Sequence, residues 1–115
     1  MRTRIRNRWT RWALLGRDVV DGTGLPLGSV VDTYPFDGGE VELAVVRLEG
    51  AFGGRRMIPA EELDDCGPAL RTPFARWQVE DSPQLSGGRH GADDPERAQS
   101  YWRFAEPELL LRAAA

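Results

Sequence analysis

The stretch DGTGLPLGSVVDTYPFDGG, residues 21–39, decides the fold because it places a long strand between two turn signals. Residues 21–24 form the first signal, since glycine tolerates the positive φ angles that tight turns require. Residues 27–36 predict a strand, because β-branched side chains alternate with polar ones there. The Asp-Gly-Gly run at 37–39 is a strong hairpin signal. This unit favours antiparallel β structure.

Further short strands are predicted on both sides of this unit. Glycine-containing loops separate them, and they cover residues 17–21, 41–48, 55–58 and 69–72. Residues 60–65 have the pattern of one helical turn. Several short strands in so short a chain favour closure, which removes exposed sheet edges. We therefore predict a mainly β fold, a small and partly open antiparallel β-barrel of five or six strands with short C-terminal helices.

The pattern changes after the last predicted strand. Residues 74–79 predict a short amphipathic helix, and residues 85–92 a glycine-rich loop. The run Asp-Pro-Glu at 94–96 is a helix start, with Asp94 as the cap. One apolar stripe follows at helical spacing, formed by Ala98, Tyr101, Trp102 and Ala105. We expect this stripe to pack on the barrel, although a docking surface for a partner is the alternative.

Length and composition fit one globular domain. The chain has 115 residues, of which 41% are hydrophobic and 29% charged. Its apolar runs are far shorter than the roughly 18 residues that a membrane span needs. The basic N-terminus is followed by too few apolar residues for a signal peptide. We expect a cytoplasmic protein with no membrane span.

Residues with reactive side chains are sparse. A dyad of the single cysteine, Cys66, and the single histidine, His90, is one catalytic possibility, but acidic neighbours disfavour the thiolate. His90, Asp93 and Asp94 are a thin metal set that recurs by chance. The glycine pairs do not match a phosphate-binding loop. We expect no enzyme activity, no cofactor and no metal.

Charge is distributed unevenly along the chain. Residues 1–17 hold six arginines and no acid, whereas residues 18–115 hold nine arginines against eighteen acids, a net charge of −9. Four arginines of the basic arm, residues 1–13, share one side of an extended chain. Together with two tryptophans, they suit RNA, since guanidinium groups pair with phosphate and indoles stack on bases. An anionic membrane surface, an acidic protein, the chain's own body and a solvated flank are the alternatives.

Four segments resemble the PRC-barrel family. They are LGRDVVD at 15–21, GLPLGSVVD at 24–32, AVV at 44–46 and FGGRRMIP at 52–59, in the family's order and spacing. The resemblance covers residues 14–80. Residues 81–115 are similar to the C-terminal extension of small stand-alone bacterial members. The resemblance thus implies three parts, an arm, a barrel domain and a helical extension.

The resemblance also implies a binding module without catalytic residues. The family includes the barrels of the ribosome maturation factor RimM and of the photosynthetic reaction-centre H subunit, but we expect neither function to carry over. The leading expectation is a protein–protein adaptor or assembly factor, whose partner is another protein or a second copy of the chain. The alternative is an RNA- or ribosome-associated factor that uses the arm.

Candidate contact residues come from the arm, from the loop before the fourth predicted strand, and from the C-terminal helix. They are Arg2, Arg4, Arg6, Arg8, Trp9, Trp12, Phe52, Arg55, Arg56 and Phe104. Phe104 is included because it lies off the apolar stripe. For the arginine pair, an internal role is the favoured alternative, in which it pairs with Glu61, Glu62, Asp64 or Asp65.

Overall fold

The fold is mainly β, as the sequence predicts. A computed structural model describes residues 7–36, 39–50, 53–85 and 93–107 of the chain. The strands of this part are β1 (Asp18–Val20), β2 (Pro26–Tyr34), β3 (Leu43–Leu48), β4 (Arg55–Pro59), β5 (Asp64–Asp65) and β6 (Ala69–Arg71). The helices are α1 (Arg11–Leu14), α2 (Arg76–Asp81) and α3 (Asp94–Arg103), and a 3-10 turn covers Ala60–Glu62. Among the described helices, none has the length and apolar character to cross a bilayer.

The six strands form one sheet in the order β4-β3-β2-β1-β6-β5. Neighbouring strands are antiparallel, as predicted, except that β1 and β6 run parallel. The parallel pair is a correction to the sequence prediction. After β4 the chain forms β5 at the opposite edge of the sheet. It then turns back as β6 between β5 and β1, and this direction makes β6 parallel to β1.

The sheet is curled, and its connectivity requires the curl. The outer strands β4 and β5 are joined by residues 60–63 alone. In a flat sheet, the outermost of six strands would lie roughly 24 Å apart, since neighbours are about 4.8 Å apart. Five Cα-to-Cα steps span at most about 18 Å even when fully extended. The strands therefore bend into a half-barrel that brings the two edges together at one corner.

The turn before β2 is closed by its aspartate. The Asp21 carboxylate accepts hydrogen bonds from the backbone N–H groups of Thr23 and Leu25, both at 2.9 Å. Asp21 is buried although it is charged, and these bonds compensate its lost hydration. The predicted turn at 21–24 is confirmed. Of the predicted hairpin at 37–39, residues 37 and 38 lie outside the described part.

The core fills the inside of the curl and continues under α3. It contains Val45 and Val46 of β3, Met57 of β4, Phe74, and Trp102 of α3. The stripe of α3 thus faces the sheet, with Tyr101 and Ala105 partly buried beside Trp102. The docking alternative for this stripe is therefore not needed, because the sheet itself covers it.

Two local predictions are corrected. The helical turn predicted for residues 60–65 stops at Glu62, because Asp64 and Asp65 pair with Arg71 and Leu70 as β5. Helix α3 is preceded by Asp93 as its N-cap, so Asp94 is the first helical residue and not the cap. Asp94 is buried in the first turn, where the helix dipole favours a carboxylate and the Arg97 guanidinium lies 3.5 Å away.

Gly28 of β2 provides the first prediction, because β3 approaches its Cα too closely for a side chain. A Cβ at this position would overlap the Arg47 carbonyl oxygen and lie 2.8 Å from the carbonyl carbon. We expect Gly28→Ala to lower the free energy of unfolding by about 3 kcal/mol, since backbone must move. Urea denaturation measures this loss.

Ser29→Thr is the control, because it adds one methyl at a half-buried neighbour on the same strand. We expect its free energy of unfolding to change by less than about 1 kcal/mol. Equal losses in both variants would contradict a specific close approach at Gly28.

Candidate partner-binding surfaces

The described part of the basic arm lies on the body of the protein. The backbone N–H of Asn7 donates to the Glu61 carbonyl at 2.8 Å, and its side-chain amide donates to the Leu63 carbonyl at 2.6 Å. The Trp9 indole donates to the same Leu63 carbonyl at 3.3 Å. The Trp9 carbonyl in turn accepts from the N–H of Val41. These bonds fix residues 7–9 across the corner where the sheet edges meet.

The arginines that follow bind acids of the body. The Arg11 guanidinium lies 2.6 Å from the Asp32 carboxylate, and that of Arg17 lies 2.9 Å from Asp65. Arg8 is 3.8 Å from Glu40, a longer and more exposed pair. Because the body carries the excess of acid, it neutralises Arg8 and Arg11 of the arm, and Arg17 beyond the arm, at these positions.

Asp65 shows the electrostatic effect of this docking. Its pKa is lowered, first by a hydrogen bond from the Gly67 backbone N–H and then by the Arg17 guanidinium. A carboxyl group whose pKa falls on folding favours the folded state above its unfolded pKa. This contribution is lost as the pH falls through the lower, folded value. The contact between Arg17 and β5 therefore weakens in acid.

Several candidate residues lie outside the described part of the chain. They are Arg2, Arg4, Arg6, Phe52 and His90. Of the disfavoured dyad of Cys66 and His90, the structure therefore describes only Cys66, which is exposed between β5 and β6. Within the described ranges, no three His, Cys, Asp or Glu side chains are grouped so that they could hold a metal ion.

Arg56 is buried, contrary to its proposed role as an exposed contact. It is 5% exposed, and its guanidinium donates to the carbonyls of Arg55 and Glu80 at 3.2 and 3.3 Å. Among the residues that the structure describes, its Nε has no hydrogen-bond partner. Burial lowers the pKa of Arg56, and the charge of Glu80 opposes this effect. The expected pairing of Arg56 with the acids of residues 61–65 is wrong, because its side chain lies against the end of α2. Arg55 is half-buried at the start of β4.

We call the exposed residues of α2 and of the end of α3 the helical face. The Tyr101 hydroxyl donates to the Gln78 carbonyl at 2.7 Å, and the Gln78 side chain donates to the Glu106 carbonyl. These two bonds join the segments that carry Trp77 and Phe104. Trp77 is 53% exposed and Phe104 is 79% exposed. Large exposed aromatic side chains on a rigid support are typical of protein-binding surfaces.

Helix α2 is itself anchored by polar contacts. The Arg76 guanidinium donates to the Glu80 carboxylate and to the carbonyls of Pro26 and Glu49, at 2.7 to 2.8 Å. The Gln78 side chain accepts from the Ala75 backbone N–H at 2.9 Å, which satisfies a donor at the start of the helix. A helix of only six residues would be unstable alone, so these bonds and its packing hold it in place.

A second surface, the acidic cleft, lies between α3 and the corner of the sheet, with a volume of about 640 Å³. Its floor is apolar and its rim holds four glutamates. The described residues that line it are Glu40, Val41, Glu42, Leu43, Pro59, Glu61, Glu62, Gln99, Trp102 and Arg103. Gln99 and Glu42 approach to 3.4 Å across one end. The cleft therefore presents negative charge around a buried indole.

Sequence reasoning missed the acidic cleft. Its walls come from the residues before β3, from the 3-10 turn and from α3. Segments so far apart in the chain give no local pattern. The excess of acid beyond residue 17 was the one available signal, and it shows charge but not position.

Comparison with models of known protein families and with curated proteins finds no match to this chain.

Arg56 leads to the second prediction. Replacing Arg56 leaves no carboxylate without a cation, because Glu80 is already bound by Arg76. We expect Arg56→Met to leave the free energy of unfolding unchanged or to raise it by up to about 2 kcal/mol, since it removes a buried cation whose Nε has no partner within the described ranges. Thermal and urea denaturation measure the change.

Arg76→Met is the matched control, because that arginine is bound by a carboxylate and two carbonyls. We expect it to lower the free energy of unfolding by about 1 kcal/mol or more. A loss of more than about 2 kcal/mol for Arg56→Met would show instead that the buried guanidinium stabilises the fold.

Proposed function

We propose that this chain is a non-enzymatic binding module that acts as a protein–protein adaptor or assembly factor, built on a PRC-type barrel. The barrel assignment rests on the four sequence segments that resemble the family. The strands β1, β2, β3 and β4 fall on these segments in the same order, and the curled sheet is compatible with a partly open barrel.

The helical face carries the proposal. Trp77 and Phe104 expose large aromatic surfaces to solvent, although each lies beside a side chain that packs inward. A side chain that only completes the core would not be exposed to this degree. Aromatic anchors of this kind contribute a large part of the binding free energy at protein interfaces. The proposed partner is a second protein, either a different one or a second copy of this chain.

The arm gives less support to the alternative, an RNA- or ribosome-associated factor. Arg11 of the arm is bound by Asp32 and Arg8 lies 3.8 Å from Glu40, so the charges of these two arm residues already have partners on the body. Trp12 favours the alternative, because it is 82% exposed on α1 and follows, by four residues, Arg8 of the exposed Arg8–Glu40 pair. Indoles beside arginines are typical of single-strand binding.

The test is purification of the tagged full chain from its own cells, with and without nuclease, read by mass spectrometry. We expect one stoichiometric protein to survive nuclease treatment. Trp77→Ser and Phe104→Ser should each weaken its binding, by about 30-fold for an anchor worth roughly 2 kcal/mol. Both side chains are exposed, so the fold should be retained, and circular dichroism checks this.

Trp12→Ser is the matched control, since it removes a tryptophan of the arm that is even more exposed than Trp77. We expect it to leave the partner's affinity unchanged. Loss of all bound material on nuclease treatment, or a loss with Trp12→Ser that Trp77→Ser does not produce, would contradict the adaptor proposal and favour the RNA alternative.

A further inference from the structure

The acidic cleft is a surface that the proposed function does not use. Its floor is formed by the buried side chains of Leu43 and Trp102, and its rim by Glu42, Glu61 and Glu62 among others. A cleft with an apolar floor and an anionic rim suits an extended segment that offers both apolar side chains and arginines. Arginine is the preferred partner, because its guanidinium fork matches the geometry of carboxylates.

Such a segment begins at the wall of the cleft. The backbone N–H of Asn7 donates to the carbonyl of Glu61, and Glu61 lines the cleft. Residues 1–6 therefore join the described chain at this wall of the cleft. Residues 1–6 have the sequence MRTRIR, with three arginines, one isoleucine and no acid. Six residues reach at most about 20 Å, which is enough to extend into the cleft from Glu61. The acid beside this point that lies outside the cleft, Asp64, already accepts a hydrogen bond from the Asn7 side chain at 3.1 Å.

We propose that the acidic cleft is the binding site of the chain's own residues 1–6, with their arginines against its glutamates. Each exposed pair adds only a small free energy, but binding within one chain does not require a tight site. A short tether gives an effective concentration of about a millimolar, so a site of millimolar affinity is substantially occupied. The cleft thereby removes three arginines from the surface that RNA would otherwise meet.

The proposal does not rest on the adaptor function. The helical face lies on α2 and the end of α3, whereas the cleft lies on the side of α3 that faces the corner of the sheet. Failure of either proposal therefore leaves the other intact. The two surfaces adjoin at Trp102 and Arg103, which line the cleft next to Phe104, and no variant at either position is used in the test.

The test compares backbone amide NMR spectra of full-length variants that lose equal charge. Arg4→Ser/Arg6→Ser removes two arginines from the segment, and Arg47→Ser/Arg71→Ser removes two exposed arginines elsewhere. We expect the first pair to shift the amides of Glu42, Glu61, Glu62 and Arg103, and the control pair to leave them in place. Raising the salt from about 0.05 M to about 0.5 M should produce the same shifts in the unmodified chain, because salt screens the pairs.

A second experiment supplies the segment separately. The peptide MRTRIR is titrated into the full chain that carries Arg2→Ser, Arg4→Ser and Arg6→Ser. We expect saturable shifts at the same amides, and a dissociation constant raised about three- to tenfold by Glu61→Gln/Glu62→Gln. The spectra also report whether each variant remains folded.

Three results would overturn the proposal. The first is that Arg4→Ser/Arg6→Ser leaves the chemical shifts of the cleft amides unchanged. The second is that the peptide shifts amides elsewhere on the surface. Alternatively, the shifts in the unmodified chain depend on protein concentration and accompany dimer formation in sedimentation. In that last case the arm of a second copy occupies the cleft, and binding within one chain is excluded.

Discussion

The hydrogen bond from the Trp102 indole to the Met57 carbonyl, at 2.7 Å, fixes where the helices lie on the sheet. Met57 is on the edge strand β4, whose outer side would otherwise present an unpaired carbonyl. The same indole packs on Phe74, with ring centroids 4.4 Å apart, and meets Tyr101 edge to face. One side chain thus covers a sheet edge, completes the core and orients α3.

Both candidate surfaces depend on this contact. Tyr101 is adjacent to Trp102 and binds the Gln78 carbonyl, which sets the position of α2 and of the exposed Trp77. On its other side, Trp102 forms part of the floor of the acidic cleft. The half-barrel brings β4 and β5 together at the corner where residues 7–9 are bound. Both surfaces therefore result from the way in which the edges of a short curled sheet are covered by α3 and by residues 7–9.

The sequence predicted what is encoded locally. Turn signals and alternating side chains gave strands close to β1, β2, β3, β4 and β6, and helical spacing gave the inward stripe that contains Trp102. The two-residue strand β5 was not predicted, because it exists only through its pairing with β6. The parallel pairing of β1 with β6 also leaves no local signal. It depends on where the chain returns in space.

The candidate surfaces were predicted less completely, for the same physical reason. Phe104 was identified because it lies off the helical stripe, and it is indeed exposed. Arg56 follows a glycine-rich loop, which predicts an exposed position, but its guanidinium binds the Glu80 carbonyl at the end of α2. Charge counting detected an acidic body, whereas the cleft requires three separate segments to meet. Burial and long-range assembly are properties of the fold and not of a sequence window.

Hydrogen–deuterium exchange of a Trp102→Phe variant tests most directly whether this side chain holds α3 on the sheet. Phenylalanine keeps an aromatic ring but leaves the Met57 carbonyl without its donor and the site under-filled, a loss of about 3 kcal/mol. If opening of α3 is local, its amides should exchange roughly a hundredfold faster while those of β2 and β3 stay protected. Unchanged protection of α3, or equal loss of protection throughout the sheet, would contradict the account.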